Sequence, residues 1–255
     1  MRLEPRFSDE ILSCTLPFEE DLFDELSASA HLEDVGKGRR GATLTKTDEA
    51  GRVPLVRTTT RYANPAQHFR AVHNRLAQRI QARAGISFAF NNALIESYTN
   101  AYASMGSHSD QALDLADESF IAVFSCYRRP EAVPPRKLIF ERKGSGEKFE
   151  IPLAHNGVVA FSVASNRLLK HKIVLDSPAL AAENEWLGVT FRTSKTFLRF
   201  HEGQPYFPQG ARLVPADEDQ QREFYRLRRR ENNETEFTYP ALTYTVSVSD
   251  LSPPA

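Results

Sequence analysis

The chain has 255 residues, 41% of them apolar and 25% charged, and its 32 basic side chains nearly balance 33 acidic ones for a formal charge of −1. Those are the proportions of a globular protein, and the length suits one large core of the barrel or sandwich kind. They exclude a disordered or fibrous chain and an overall basic field that would drive non-specific nucleic-acid binding; with only Cys14 and Cys126 they also exclude a disulfide framework.

Met1 to Glu10 alternates charged and apolar residues, unlike a secretory leader, and no apolar run approaches the roughly 18 to 20 residues of a spanning helix. The expectation is a cytoplasmic protein with no membrane partner. Pro17 to Ala30 carries Leu22, Phe23 and Leu26 at helical spacing behind an acidic first turn of Glu19, Glu20 and Asp21, which suits a helix N-terminus. Val35 to Arg52, rich in Gly, Lys, Arg and Thr, reads as a hairpin or mobile loop. Pro65 to Ala84 reads as a helix with Phe69, Val72, Leu76 and Ile80 on one stripe and Gly85 as its stop. Its arginines, Arg70, Arg75, Arg79 and Arg83, read as a solvated face or, alternatively, a nucleic-acid contact surface.

From Phe88 the pattern changes to short apolar or alternating runs: Ala93 to Tyr98, Phe120 to Tyr127, Lys137 to Arg142, Phe149 to Leu153, Val158 to Val163, Lys172 to Leu175 and Trp186 to Arg192. Turn signals such as Pro134-Pro135, Gly144-Ser145-Gly146 and Asn156-Gly157 separate them. These runs argue for a sandwich or jelly roll in an α+β class, with N-terminal helices buttressing one face, and the order of His108, Asp110, His171 and Arg192 among the strands matches a double-stranded β-helix (jelly roll). Ala216 to Asn232 reads as a polar helix, and the remainder to Ala255 as a strand-like tail. The expected organisation is one domain: helices and a lid segment over 1–86, a jelly-roll core over 87–200 and a C-terminal extension over 201–255.

In Gly106-Ser107-His108-Ser109-Asp110 an imidazole and a carboxylate stand two apart just past a predicted strand, and on extended backbone such residues project to the same side. His171, at the start of a later strand, supplies a third ligand, with His155 as its rival. Two histidines and one carboxylate on one face of an octahedron leave three positions open, the arrangement of non-haem Fe(II) oxygenases. Arg192 then stands on the next strand. It suits a dicarboxylate co-substrate, since a buried bidentate arginine is a preferred carboxylate partner. Strand alternation puts Thr190, Arg192 and Ser194 on one pocket wall and turns Leu187, Val189 and Phe191 to the core.

Over Ala93 to Thr196 the sequence resembles the AlkB family of Fe(II)/2-oxoglutarate dioxygenases. Leu94-Ile95-Glu96-Ser97-Tyr98 is similar to that family's Asn-x-Tyr strand, His108-x-Asp110 to its metal motif and Thr190-Phe191-Arg192 to its terminal Thr-Phe-Arg. The resemblance implies Fe(II), 2-oxoglutarate and O2 as cofactor and co-substrates. It also implies iron on His108, Asp110 and His171, and 2-oxoglutarate against Tyr98 and Arg192. Pro54 to Tyr62 sits where the family carries its substrate-covering lid. There Arg57, Arg61 and Tyr62 either face a phosphate or carboxylate of the substrate or belong to an ordinary edge strand.

Three departures bear on the substrate. Glu96 stands where the family has Asn, Trp186 where it usually has a second arginine, and Ala112 where the bacterial repair enzyme has an acidic residue that reads the base. Trp186 is the sole tryptophan, so none lies upstream to stack on a flipped base. The sequence therefore favours hydroxylation or oxidative demethylation of a small metabolite or amino-acid-like molecule. The alternatives are AlkB-type dealkylation of nucleobases and, from another class, a non-catalytic cupin-like binding module.

Overall fold

The alternating runs in the middle of the chain become strands because every second side chain finds a core on one face and helices on the other. In the computed structural model, which describes residues 11–17, 21–131, 136–176 and 183–255, this pattern builds two facing sheets. Met1 to Glu10, Glu19 and Glu20 of the expected acidic turn, and the Pro134-Pro135 turn lie outside the described residues.

The strands are β1 (Ile11–Thr15), β2 (Glu33–Gly36), β3 (Arg39–Thr45), β4 (Val53–Leu55), β5 (Gln67–His68), β6 (Asn92–Tyr98), β7 (Phe120–Tyr127), β8 (Arg136–Arg142), β9 (Lys148–Pro152), β10 (Gly157–Ser162), β11 (Leu169–Leu175) and β12 (Trp186–Arg192). Among the described residues the larger sheet runs β1-β10-β7-β12-β6-β3-β2, with β5 beside β3, and a smaller one runs β11-β8-β9. The register fixes which residues share a face. Trp186, Gly188, Thr190 and Arg192 of β12 stand opposite Tyr98, Glu96, Leu94 and Asn92 of β6, and Arg39 and Gly41 of β3 stand opposite Tyr98 and Glu96.

On β7, Ala122, Phe124 and Cys126 turn outward into a core shared with α1 (Leu22–Ser27) and α2 (Ala71–Ala84), while Ile121, Val123 and Tyr127 turn inward against Leu138, Phe140 and Ile173 of the smaller sheet. This is the jelly roll with helices against one face. The seven expected core strands all form, within three residues of the expected bounds. Helix α2 begins at Ala71 rather than Pro65, because Gln67 and His68 pair alongside Leu44 and Thr45 and that pairing requires extended backbone. Asp21 caps α1 by accepting from the Phe23 amide at 2.9 Å.

Beyond β12 come β13 (Thr196–His201), β14 (Gln204–Tyr206), β15 (Val214–Pro215), α4 (Glu218–Asn233) and β16 (Tyr244–Thr245). The expected strand-like tail is mostly irregular: only Tyr244 and Thr245 pair, in parallel with Val214 and Pro215. Helix α4 has a polar outer face, but Phe224, Leu227, Arg228 and Glu231 are buried. Among the described residues no helix is long and apolar enough to cross a membrane.

Candidate metal centre

His108 and His171 are joined across an isolated antiparallel bridge, each amide donating to the other's carbonyl, at 3.0 and 2.7 Å. Directly opposed residues on an antiparallel pair point their side chains the same way, and the two rings lie 4.7 Å apart. Asp110, two residues on, completes the cluster. Its Oδ1 is 3.7 Å from His108 Nε2 and 3.5 Å from His171 Nε2, and one donor atom from each residue lies within 4.8 Å of the others.

The protonation states suit ligands. His108 Nδ1 lies 2.8 Å from the Gly106 carbonyl, a contact in which Nδ1–H donates and Nε2 is turned to the cluster. Burial lowers the His171 pKa, outweighing the pull of Asp110, so this ring is neutral. Burial works to raise the Asp110 pKa, but Arg192, His108 and His171 hold it well below the usual carboxylate range. Two imidazoles with Nε2 turned to the cluster and one carboxylate fit Fe(II), with room on one side for further ligands.

Residues far away in sequence hold this loop in place. Asn166, in α3 (Val163–Leu168), accepts from the Asp110 amide at 2.8 Å and donates to its carbonyl at 2.7 Å. From α4, Asn232 accepts from the Ser109 amide, Arg228 donates to the Ser109 carbonyl and Glu231 accepts from the Ala112 amide, at 2.9, 2.8 and 2.8 Å. Lys143 holds that helix's end by donating to the carbonyls of Glu231 and Glu234. Sequence reading missed Asn166, Arg228, Glu231 and Asn232. The available signal was α4 itself, where Phe224, Leu227, Arg228 and Glu231 fall on one helical stripe and two of the four are charged.

The cluster opens into a cavity of about 370 Å³ whose wall includes Arg39, Leu94, Glu96, Tyr102, Val123, Leu138, Thr190 and Arg192. Thr190 and Arg192 face it as the alternation predicts, with Leu187, Val189 and Phe191 in the outer core. Ser194 does not share that wall; its hydroxyl is buried and donates to the Leu55 carbonyl at 2.5 Å. Arg192 is committed to the His108–Asp110 loop, donating from Nε and Nη2 to Asp110 Oδ2 at 2.7 and 2.6 Å.

Tyr98 lies behind the wall, fully buried, with its hydroxyl donating to Glu96 Oε2 at 2.8 Å. Burial first and Glu96 second push its pKa well above the usual phenol value, so it remains a donor. Trp186 is packed flat over Gly188, where a Cβ would come within 2.0 Å of the indole, and its Nε1 donates to Ser125 Oγ at 2.8 Å.

The lid segment divides. Val56, Arg57, Thr58, Thr59 and Thr60 line the cavity, whereas Arg61 and Tyr62 line a separate one with Pro215, Gln221 and Val246. Arg57 is not free to meet a ligand. Its guanidinium grips Asp114 through Nε and Nη2 at 3.0 and 2.8 Å and donates from Nη1 to the carbonyls of Leu242 and Tyr244. His155, the rival third ligand, accepts from the Tyr127 amide through Nδ1 at 3.2 Å and is not part of the cluster.

The family model described as the 2OG-Fe(II) oxygenase superfamily matches residues 34–192. Among solved structures, one titled "The structure of OsALKBH1" superposes with a TM-score of 0.50 at 13% identity, covering 75% of this chain and 100% of that one. A Pseudomonas putida prolyl-4-hydroxylase is similar at a TM-score of 0.41 and 15% identity, over 72% of this chain and 92% of its own. A search of the curated proteins finds no match.

Proposed function

Because the chain belongs to the 2OG-Fe(II) oxygenase superfamily, and is thus a dioxygenase that uses Fe(II), 2-oxoglutarate and O2, we propose that His108, Asp110 and His171 hold the iron and that the adjoining cavity takes a small metabolite or amino-acid-like substrate for hydroxylation or oxidative demethylation. The observation that carries the proposal is the His108–Asp110–His171 cluster, opening on a cavity that Thr190 and Arg192 also line.

When bound, iron with its co-substrates supplies oxidising power to break an unactivated C–H bond. The residues supply the rest. His108 and His171 offer ring nitrogens. Arg192 holds the outer oxygen of Asp110 so that the inner one faces the histidines, and Thr190 offers its hydroxyl on the same wall. Leu94, Val123, Leu138 and Ile173 give part of the wall an apolar surface, which limits water there.

The substrate reading is supported by the cavity's volume, at the small-ligand end of the usual range of roughly 300 to 1,000 Å³, and by the near-neutral charge. It is also supported by Trp186, which lies beneath the cavity with no face offered to a base. A nucleobase substrate is favoured by one feature: Tyr102, a ring on the cavity wall within cation–π reach of Arg39, could serve as a stacking platform.

Succinate release, measured over a metabolite panel and over methylated oligonucleotides, separates the two. Turnover with metabolites supports the first reading, and stimulation by oligonucleotides alone overturns it. His108→Ala abolishes succinate release in either case; an unaffected variant removes the metal assignment.

A further inference from the structure

The co-substrate is a dicarboxylate, and its keto-acid end belongs at the metal, so its distal carboxylate must find a partner inside the same cavity. Four arginines line that cavity among the described residues: Arg39, Arg57, Arg192 and Arg228. Three are under a tenth exposed and already committed. Arg57 is spent on Asp114 and two carbonyls, Arg192 on Asp110, and Arg228 on Glu231 and the Ser109 carbonyl. Arg39 differs. Its side chain is 20% exposed, and its Nε and Nη2 hold only Glu96 Oε1 and the Thr60 hydroxyl, at 2.7 and 3.1 Å for the directed bonds.

Glu96 lies between donors from two strands, with Arg39 on one oxygen and the Tyr98 hydroxyl on the other. A carboxylate of the protein thus sits at the cavity's accessible cation. The start of β12 offers no cation instead, because Trp186 fills that position and its one donor is committed to Ser125. Glu96 has somewhere to go. The Tyr62 hydroxyl is buried without a hydrogen-bond partner, and the Cβ position of Gly41, directly across from Glu96, lies 2.7 Å from that hydroxyl and 3.4 Å from Glu96 Cγ.

We propose that Arg39 grips the distal carboxylate of 2-oxoglutarate by partner exchange, with Glu96 acting as a built-in placeholder that yields the guanidinium and stays on Tyr98 and Tyr62. This rests on the oxygenase reading above. The guanidinium that now places Nε and Nη2 on one Glu96 oxygen has the planar fork to take both oxygens of an incoming carboxylate. Exchanging one carboxylate for another leaves no buried cation unpaired in either state, so Arg39 is oriented before the ligand arrives.

The test is calorimetric binding to the Mn(II)-loaded protein, with no turnover, using 2-oxoglutarate and pyruvate, a 2-oxo acid that lacks the distal carboxylate. Arg39→Gln should weaken 2-oxoglutarate by about tenfold or more and leave pyruvate unchanged, and Arg39→Lys should recover part of the loss. Glu96→Gln should bind 2-oxoglutarate as tightly as the wild type or more so, because the competing carboxylate is gone. Unchanged pyruvate and Mn(II) affinity also report an intact site in each variant. The proposal is overturned if Arg39→Gln keeps wild-type affinity for 2-oxoglutarate, or if pyruvate binding falls in parallel. A wild-type chain that binds Mn(II) but no 2-oxoglutarate overturns both the proposal and the reading it rests on.

Discussion

The two faces of the larger sheet are made by alternate residues of the same strands, and they have been put to different uses. On the outer face of β12, Leu187, Val189 and Phe191 pack against helices in an almost wholly apolar core. On the inner face, Trp186, Gly188, Thr190 and Arg192 meet Tyr98, Glu96 and Leu94, and polar groups there are paired across strands and loops. The outer face gains free energy mainly from apolar burial. The inner face has an apolar core against the smaller sheet, and on β6 and β12 it also holds charges that must be paired to avoid the cost of an unpaired buried charge. Stability and chemistry are therefore separable by residue parity, and mutations should separate them.

The largest effect expected is on the outer face. Phe191→Ala removes a fully buried ring packed against Phe69 and Phe90 and should cost about 3 to 5 kcal/mol in urea unfolding. The folded fraction should keep wild-type Mn(II) affinity; a drop in affinity would break the separation. Arg57→Met should cost a similar ~3 to 5 kcal/mol, since it strands Asp114, which is 1% exposed, and unties the lid segment from the Leu242 and Tyr244 carbonyls. An unfolding midpoint within error of the wild type would show that the Arg57–Asp114 pair is not what holds the roof of the cavity.

A smaller effect sharpens the outer face through pH. His73 is buried beside Ser29, and burial, aided by Arg70, lowers its pKa to about 4 from an ordinary 6.5. Between those values the unfolded chain binds the extra proton, so stability rises with pH there: the contribution is complete above pH 6.5 and is lost as pH falls towards 4. From pH 7 to pH 5 the loss should be about 2 kcal/mol, and His73→Phe should remove that part of the pH dependence. The smallest stability effect belongs to the metal loop. Asn166→Ala leaves the Asp110 amide and carbonyl without their partner, costing about 1 to 2 kcal/mol but weakening Mn(II) binding by about tenfold. Unchanged metal affinity would mean that the α4 contacts alone fix the loop.

What could be read in advance follows from the range of the interactions. The strands β6, β7 and β12, the alternation that sends Thr190 and Arg192 inward, and the pairing of His108 with Asp110 all rest on neighbours one to four residues apart, where backbone geometry dictates direction. Glu96 also stood out in the sequence, as a carboxylate in the place of the family's Asn. The bounds of α2 shifted because a strand pairing with β3 overrode the helical pattern of its first residues.

The sequence by itself determined the seven core strands, their parity and the spacing of His108 and Asp110, because period-two alternation and i, i+2 geometry are local properties of extended backbone. Only the tertiary structure decided the partners: Asp110 for Arg192, Arg39 for Glu96, Asp114 for Arg57, and α4 as the clamp on the metal loop. Those contacts join residues 57 to 119 positions apart. Each arginine had several acidic residues within reach on charge alone, and the fold chose among them by which strands and helices it brought together.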